Sequence, residues 1–153
     1  MNGSSKHSRH VVVVGASAAG LRCAARLARR EPGWRVTVLE ERQEFSFAAC
    51  GMPYALSGDV SGVEELRKTS DGALRDPEYF ASVKGVQVLA GTRAVAVDAA
   101  GRTVRLANGE TLVFDELVLA VGSRAIRLPG QPEHARVYTF HTLADVPPLL
   151  DAL

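Results

Sequence analysis

"HVVVVGASAAG", residues 10–20, decides the fold. "HVVVVG" is a continuous β-branched run closed by a glycine, the pattern of a strand buried on both faces, as in a parallel sheet. "ASAAGLRCAARLARR" follows, with Leu21, Ala24, Ala25, Leu27 and Ala28 at helical spacing and arginines on the other side. "EPG" stops that helix, and "WRVTVLE" reads as a second strand. Residues 10–40 therefore spell strand, tight turn, helix, strand: a βαβ unit.

The turn reads Gly15, Ala16, Ser17, Ala18, Ala19, Gly20. A dinucleotide-binding turn places G-x-G-x-x-G there. The first glycine makes the tight turn, and the last lets helix and strand approach closely. The middle one lets the backbone come near a pyrophosphate, and here it is Ser17, still small. Unpaired N–H groups at the helix start would hold the anion. The motif also wants an acidic residue about 20 residues further on, at the end of the second strand. Glu40 stands there, and its carboxylate would accept hydrogen bonds from ribose hydroxyls. A βαβ unit with a tight glycine turn and no ligand is the alternative.

Further along, residues 41–62 are punctuated by Gly and Pro and read as an irregular loop. "VEELRK" reads as a short helix, and "DPEYFASVKG" as another, opened by Asp76 with Pro77 at the first helical position. "RAVAVDA", "RTVRLA" and "ETLVFD" then read as short strands of an antiparallel meander, with Asn108-Gly109 as a hairpin signal. "ELVLAVG" reads as another buried strand, and "LADVPPLLDAL" as the start of a helix.

Composition bounds the rest. The chain has 153 residues, 46% hydrophobic and 23% charged, enough for one domain with a sizeable core. A net charge of +1 gives no reason to expect nucleic acid or an acidic membrane surface. Two cysteines, Cys23 and Cys50, are too few for a secreted disulfide scaffold, which points to a reducing, cytoplasmic setting. Four scattered histidines suggest no metal site. No stretch approaches the roughly 20 apolar residues of a membrane span. On composition alone both cysteines read as buried packing residues.

Three stretches, "VVVVGASAAG", "EERQEFSFAACGMPY" and "FDELVLAVGSRAIRLPG", resemble the FAD-dependent pyridine nucleotide–disulfide oxidoreductases, over residues 10 to about 145. The branch most similar is the single-cysteine one: coenzyme A disulfide reductases, persulfide reductases and NADH oxidases or peroxidases. The resemblance implies a three-layer α/β, Rossmann-like fold with a parallel sheet and a small antiparallel meander. It implies FAD on the βαβ unit, with Glu41, Arg42, Ala94, Ala120, Val121 and Gly122 joining the turn and Glu40 as cofactor-binding residues, and NAD(P)H as the electron donor. Val121 stands where threonine is common. Cys50 would be the redox thiol. With no partner cysteine nearby, it would cycle as a mixed disulfide or a sulfenic acid.

The resemblance also implies a small-molecule thiol or disulfide substrate of the coenzyme A type, contacted by Arg22, Arg26, Arg29 and Ser46. The arginines are spaced i, i+4, i+7 and share one helix face, suited to phosphates, though such a row is also what a solvated basic face looks like. Ala18 stands where the oxidases and peroxidases carry a histidine, and Ala49 where asparagine often precedes the cysteine. The rival readings are an NADH oxidase or peroxidase fragment and a non-catalytic nucleotide-binding module.

Full-length members of the family are about three times longer. A second glycine turn and the family's late Gly-Asp segment do not occur here. Residues 1–9 are expected to form a disordered tail, 10–125 the N-terminal part of an FAD-binding domain, and 126–153 a linker into a nicotinamide-binding domain. Such a chain is expected to be incomplete and inactive alone, and its exposed sheet edge to favour a homo-oligomer or a complementing fragment.

Overall fold

The structure, a computed structural model, describes residues 8–130 and 136–153. Residues 1–7 of the expected tail, and 131–135 of the expected linker, lie outside the described residues. The chain divides into two compact units. One holds the chain up to Ser46 together with Arg75–Val121; the other holds Phe47–Leu74 and Gly122–Leu153.

The first unit is built on the βαβ segment. Strand β1 (His10–Val14), helix α1 (Ala18–Arg30) and strand β2 (Arg35–Leu39) follow in order. Helix α3 (Pro77–Lys84) leads to β3 (Gln87–Leu89). Strands β4 (Ala94–Asp98), β5 (Thr103–Leu106) and β6 (Thr111–Val113) make the meander, and β7 (Glu116–Leu119) returns to the first sheet. The label α2 belongs to Met52–Leu56 and α4 to Val146–Leu150, both in the second unit.

The parallel sheet has the order β3-β2-β1-β7. Val12 sits opposite Thr37 on one side and Leu117 on the other. Alternation along β1 explains its unbroken apolar run. Val11 and Val13 join Leu21, Ala24, Phe45 and Phe80 in one core. Val12 faces the other way, into a core with Leu39, Val104, Leu106 and Phe114 of the meander side. Three layers result: helices, parallel sheet, antiparallel meander. Each of these near-fully buried valines contributes about 2 kcal/mol of apolar transfer.

Local signals hold at α3. The Asp76 carboxylate accepts from the Tyr79 N–H at 2.8 Å, and Gly85 ends the helix in the left-handed region. At the hairpin, Leu106 N–H donates to the Glu110 carbonyl around Asn108-Gly109.

Four details depart from the sequence expectations. β3 is a strand that the pattern does not set apart; at three residues it is too short for alternation to show, and pairing with β2 makes it. β7 is not fully buried. Among the described residues it pairs with β1 alone, and Leu119 is 62% exposed. Residues 41–62 are not irregular throughout, because a 3-10 turn, Ala49–Gly51, runs into helix α2. "VEELRK" coils as a 3-10 segment, Val63–Arg67, rather than as an α-helix.

The second unit has its own small core of Met52, Ala55, Leu66, Leu143 and Val146. A 3-10 turn, Leu143–Asp145, feeds α4. Asp145 is the hub there. Its carboxylate accepts from the backbone N–H of His141 and of Thr142, at 2.8 and 2.6 Å, and from the Thr139 hydroxyl. No helix among the described residues is long and apolar enough to cross a membrane.

Candidate functional site: the glycine turn and the exposed cysteine

The turn is set by close packing. Gly15 has φ +108°, and a Cβ there would collide with the Ala120 carbonyl. A Cβ on Gly20 would run into the Gly15 carbonyl and lie 3.3 Å from Ala120 Cβ. Gly15 N–H donates to Leu39 O, and Ala120 N–H to Val14 O, each at 2.8 Å. The two glycines let the turn nest against the end of β7. Ala120 and Val121, expected near a cofactor, thus stand beside Gly15.

Glu40 is almost buried, at 8% exposure. Its Oε2 accepts the Ala16 N–H at 2.8 Å and its Oε1 the Arg42 N–H at 3.1 Å. The Arg42 guanidinium lies 3.9 Å from both Glu40 Oε1 and Glu41 Oε1. The carboxylate therefore braces the turn as well as facing the position of a ribose. Each oxygen keeps a further lone-pair site for a hydroxyl. The loop after β2 is knitted to the one before β4: Thr92 N–H donates to Glu40 O and Gly91 N–H to Arg42 O. Ala94 opens β4 and packs with the Leu39 cluster. Arg93 Nε comes 3.7 Å from Glu41 Oε2, a partner that sequence reading misses because 51 positions separate the two residues and no motif links them.

Ser17, Ala18 and Ala19 are exposed at the start of α1. Ser17 makes no side-chain cap, and no acidic residue occupies the first turn. Open N–H groups with the positive end of a 13-residue helix suit an anion. Arg22, Arg26 and Arg29 are all exposed further along α1. Ser46 is buried, and its N–H donates to Ala16 O at 3.2 Å.

In the second unit, Cys50 lies in the Ala49–Gly51 3-10 turn and is exposed, with a free thiol. That corrects the reading of Cys50 as a buried packing residue: the preceding Ala48 is tied to Leu66 O and the following Met52 fills the core, which leaves Cys50 on the outside. Cys23 is half-buried in α1. Gly122 opens its part of the second unit at φ +67° and is exposed.

A family model described as pyridine nucleotide-disulphide oxidoreductase matches residues 9–152. The chain belongs to this family. The NAD(P)H sulfur oxidoreductase (CoA-dependent) of Pyrococcus abyssi is 34% identical to this pyridine nucleotide–disulphide oxidoreductase chain over 119 residues, which are 77% of the chain and 25% of the relative. Among solved structures, a NAD-dependent persulfide reductase from A. fulgidus superposes with TM-score 0.88 at 34% identity, over 93% of this chain and 27% of that one. The water-forming NADH oxidase from Lactobacillus brevis, bound to NADH, gives TM-score 0.80 at 27% identity, over 95% and 32%. The chain spans about a quarter to a third of their lengths. FAD and NAD(P)H are the cofactors of the family. The residues present fit FAD's ADP end, with a backbone cleared of Cβ atoms, open helix N–H groups and a carboxylate at the end of β2.

Proposed function

We propose that this chain supplies the FAD-binding portion of a reductase that acts on a disulfide or persulfide of a small, coenzyme A-type thiol, with Cys50 as the redox group. The exposed, unpaired thiol of Cys50 is the observation that carries this reading, together with the CoA-dependent and persulfide-reducing relatives. Gly15, Ser17 and Gly20 would receive the pyrophosphate, and Glu40 the adenosine ribose. Arg22, Arg26 and Arg29 would attract the phosphates of the substrate. FAD, when bound, supplies the two-electron relay between NAD(P)H and the thiol.

The chain's own chemistry is thiol exchange. The Cys50 thiolate attacks one sulfur of the substrate disulfide. A Cys50–S–S–R bond forms as the substrate S–S bond breaks, and the second half leaves as a thiolate. Two electrons then cleave the mixed disulfide and return Cys50 as thiolate, while the released RS⁻ takes a proton. Turnover is proposed to need nicotinamide-binding elements like those that fill out the longer relatives.

The exchange step is testable on the chain itself. After incubation with coenzyme A disulfide, peptide mass spectrometry is expected to find a coenzyme A adduct on Cys50. Its formation should slow several-fold in an Arg22→Ala/Arg26→Ala variant and vanish in Cys50→Ser. Equal labelling of Cys23, or faster reaction with a small uncharged disulfide, would contradict the substrate assignment. The Lactobacillus brevis likeness raises an oxidase as the rival. Ala18, in place of that branch's histidine, argues against it, and oxygen uptake abolished by Cys50→Ser in an FAD-reconstituted chain would favour it.

A further inference from the structure

Ser46 has φ +56°, one of two non-glycine residues in the left-handed region among the described residues. For a residue with a Cβ this conformation persists when its surroundings hold it. Here the hold is visible: Ser46 is 7% exposed and its N–H is bonded to the Ala16 carbonyl. Its hydroxyl has no hydrogen-bond partner among the described residues, so the backbone carries the contact. Ala16 is gripped on its other side by Glu40 Oε2. The middle of the glycine turn is therefore fixed through both peptide groups, by Glu40 before it and by Ser46 after it in the chain. Cys50 follows Ser46 by four residues.

We propose that Ser46 is a positioning residue whose left-handed backbone, held by the Ala16 carbonyl, couples filling of the glycine turn to the order of the chain segment that carries Cys50. The proposal rests on the nucleotide reading of the turn. Ser46 has two basins, a clamped left-handed one and a released extended one. Anything that fixes Ala16 favours the clamped basin, and a ligand shifts such an equilibrium by its preference for one state. In the clamped state the segment from Phe47 onward starts from a fixed point, and Cys50 opens to reagents less often.

The test uses ADP, which lacks the flavin ring, with calorimetry for binding and iodoacetamide alkylation of Cys50 for the readout. Saturating ADP is expected to slow alkylation by about fivefold or more, the lower end of ordinary coupling between sites. Ser46→Gly removes the cost of the left-handed basin, so its alkylation should already be slow without ADP. Ser46→Thr keeps the hydroxyl and the N–H, but β-branching disfavours that basin. Its alkylation should be fast without ADP and slowed by the nucleotide. A merely structural Ser46 would alter melting temperature and leave the ADP dependence alone. Binding of ADP with no change in alkylation overturns the coupling and leaves the nucleotide reading intact. Equal free-state rates in all three proteins, with protection by ADP in each, would mean direct shielding and also overturn it. Absence of ADP binding by a folded protein overturns both.

Discussion

Both peptide groups around Ala16 are spoken for, its N–H by Glu40 and its carbonyl by Ser46. This gives Glu40 work in the free protein that a purely ligand-facing carboxylate would not have. Truncation to alanine strands a buried N–H, a loss of about 1–3 kcal/mol. Glu40→Ala is thus expected to lower the stability of the ligand-free chain by that order in urea unfolding. Glu40→Gln, which keeps an acceptor oxygen, should recover most of it. An alanine variant as stable as the wild type would show that the Ala16 N–H finds another acceptor. The role of Glu40 at the end of β2 was legible from spacing. Its bond to the turn was not, because a main-chain partner leaves no mark on residue type.

Among elements, the start of β1 carries a titratable group with no part in the proposed chemistry. His10 is buried, with Nδ1 2.7 Å from Val113 O and Nε2 2.9 Å from Thr37 Oγ1. The Arg35 guanidinium is 2.7 Å from Nδ1, and Asp115 accepts the His10 backbone N–H. Burial comes first in pushing the imidazole below its ordinary 6.5, and Arg35 adds to it, against the Val113 carbonyl and Asp115. The native state therefore binds fewer protons here than the unfolded chain. Stability from this site is present above pH 6.5 and is lost as pH falls below it, toward the native value. Denaturation midpoints are expected to drop between pH 7.5 and 5, and the drop should shrink in His10→Asn. An unchanged pH profile in that variant would assign the loss to other groups. Asp145 works in the opposite part of the scale. Burial would raise it, but hydrogen bonds from Thr142, His141 and Thr139 outweigh that and hold it below the ordinary range, so its contribution fades in acid as it is protonated.

Over the whole molecule, the sequence showed most of what positions the turn: the βαβ unit, the meander and the Asp76 cap all rest on local period and local capping. What it did not show depends on pairing across distance. β3 exists because β2 lies beside it, and β7 is half-exposed because its outer side has no neighbour among the described residues. Cys50 is exposed because its flanking residues, Ala48 and Met52, are tied inward. The free side of β7, with Leu119 at 62% exposure and Val121 at 70%, leads to a prediction at this scale. Unpaired edges with exposed apolar side chains favour association. Sedimentation velocity should show concentration-dependent self-association that Leu119→Lys reduces. A wild-type chain that stays monomeric throughout would place no weight on that edge.

The central claim is that the Gly15–Gly20 turn and Glu40 form the ADP end of an FAD site. The most direct measurement is a visible-absorbance titration of the folded chain with FAD, followed by gel filtration, with Gly15→Ala alongside. The account predicts saturating, one-to-one perturbation of the flavin bands in the wild type. It predicts its loss in Gly15→Ala, where a Cβ would meet the Ala120 carbonyl. Cooperatively folded wild-type protein that leaves the flavin spectrum unchanged at every concentration would contradict it.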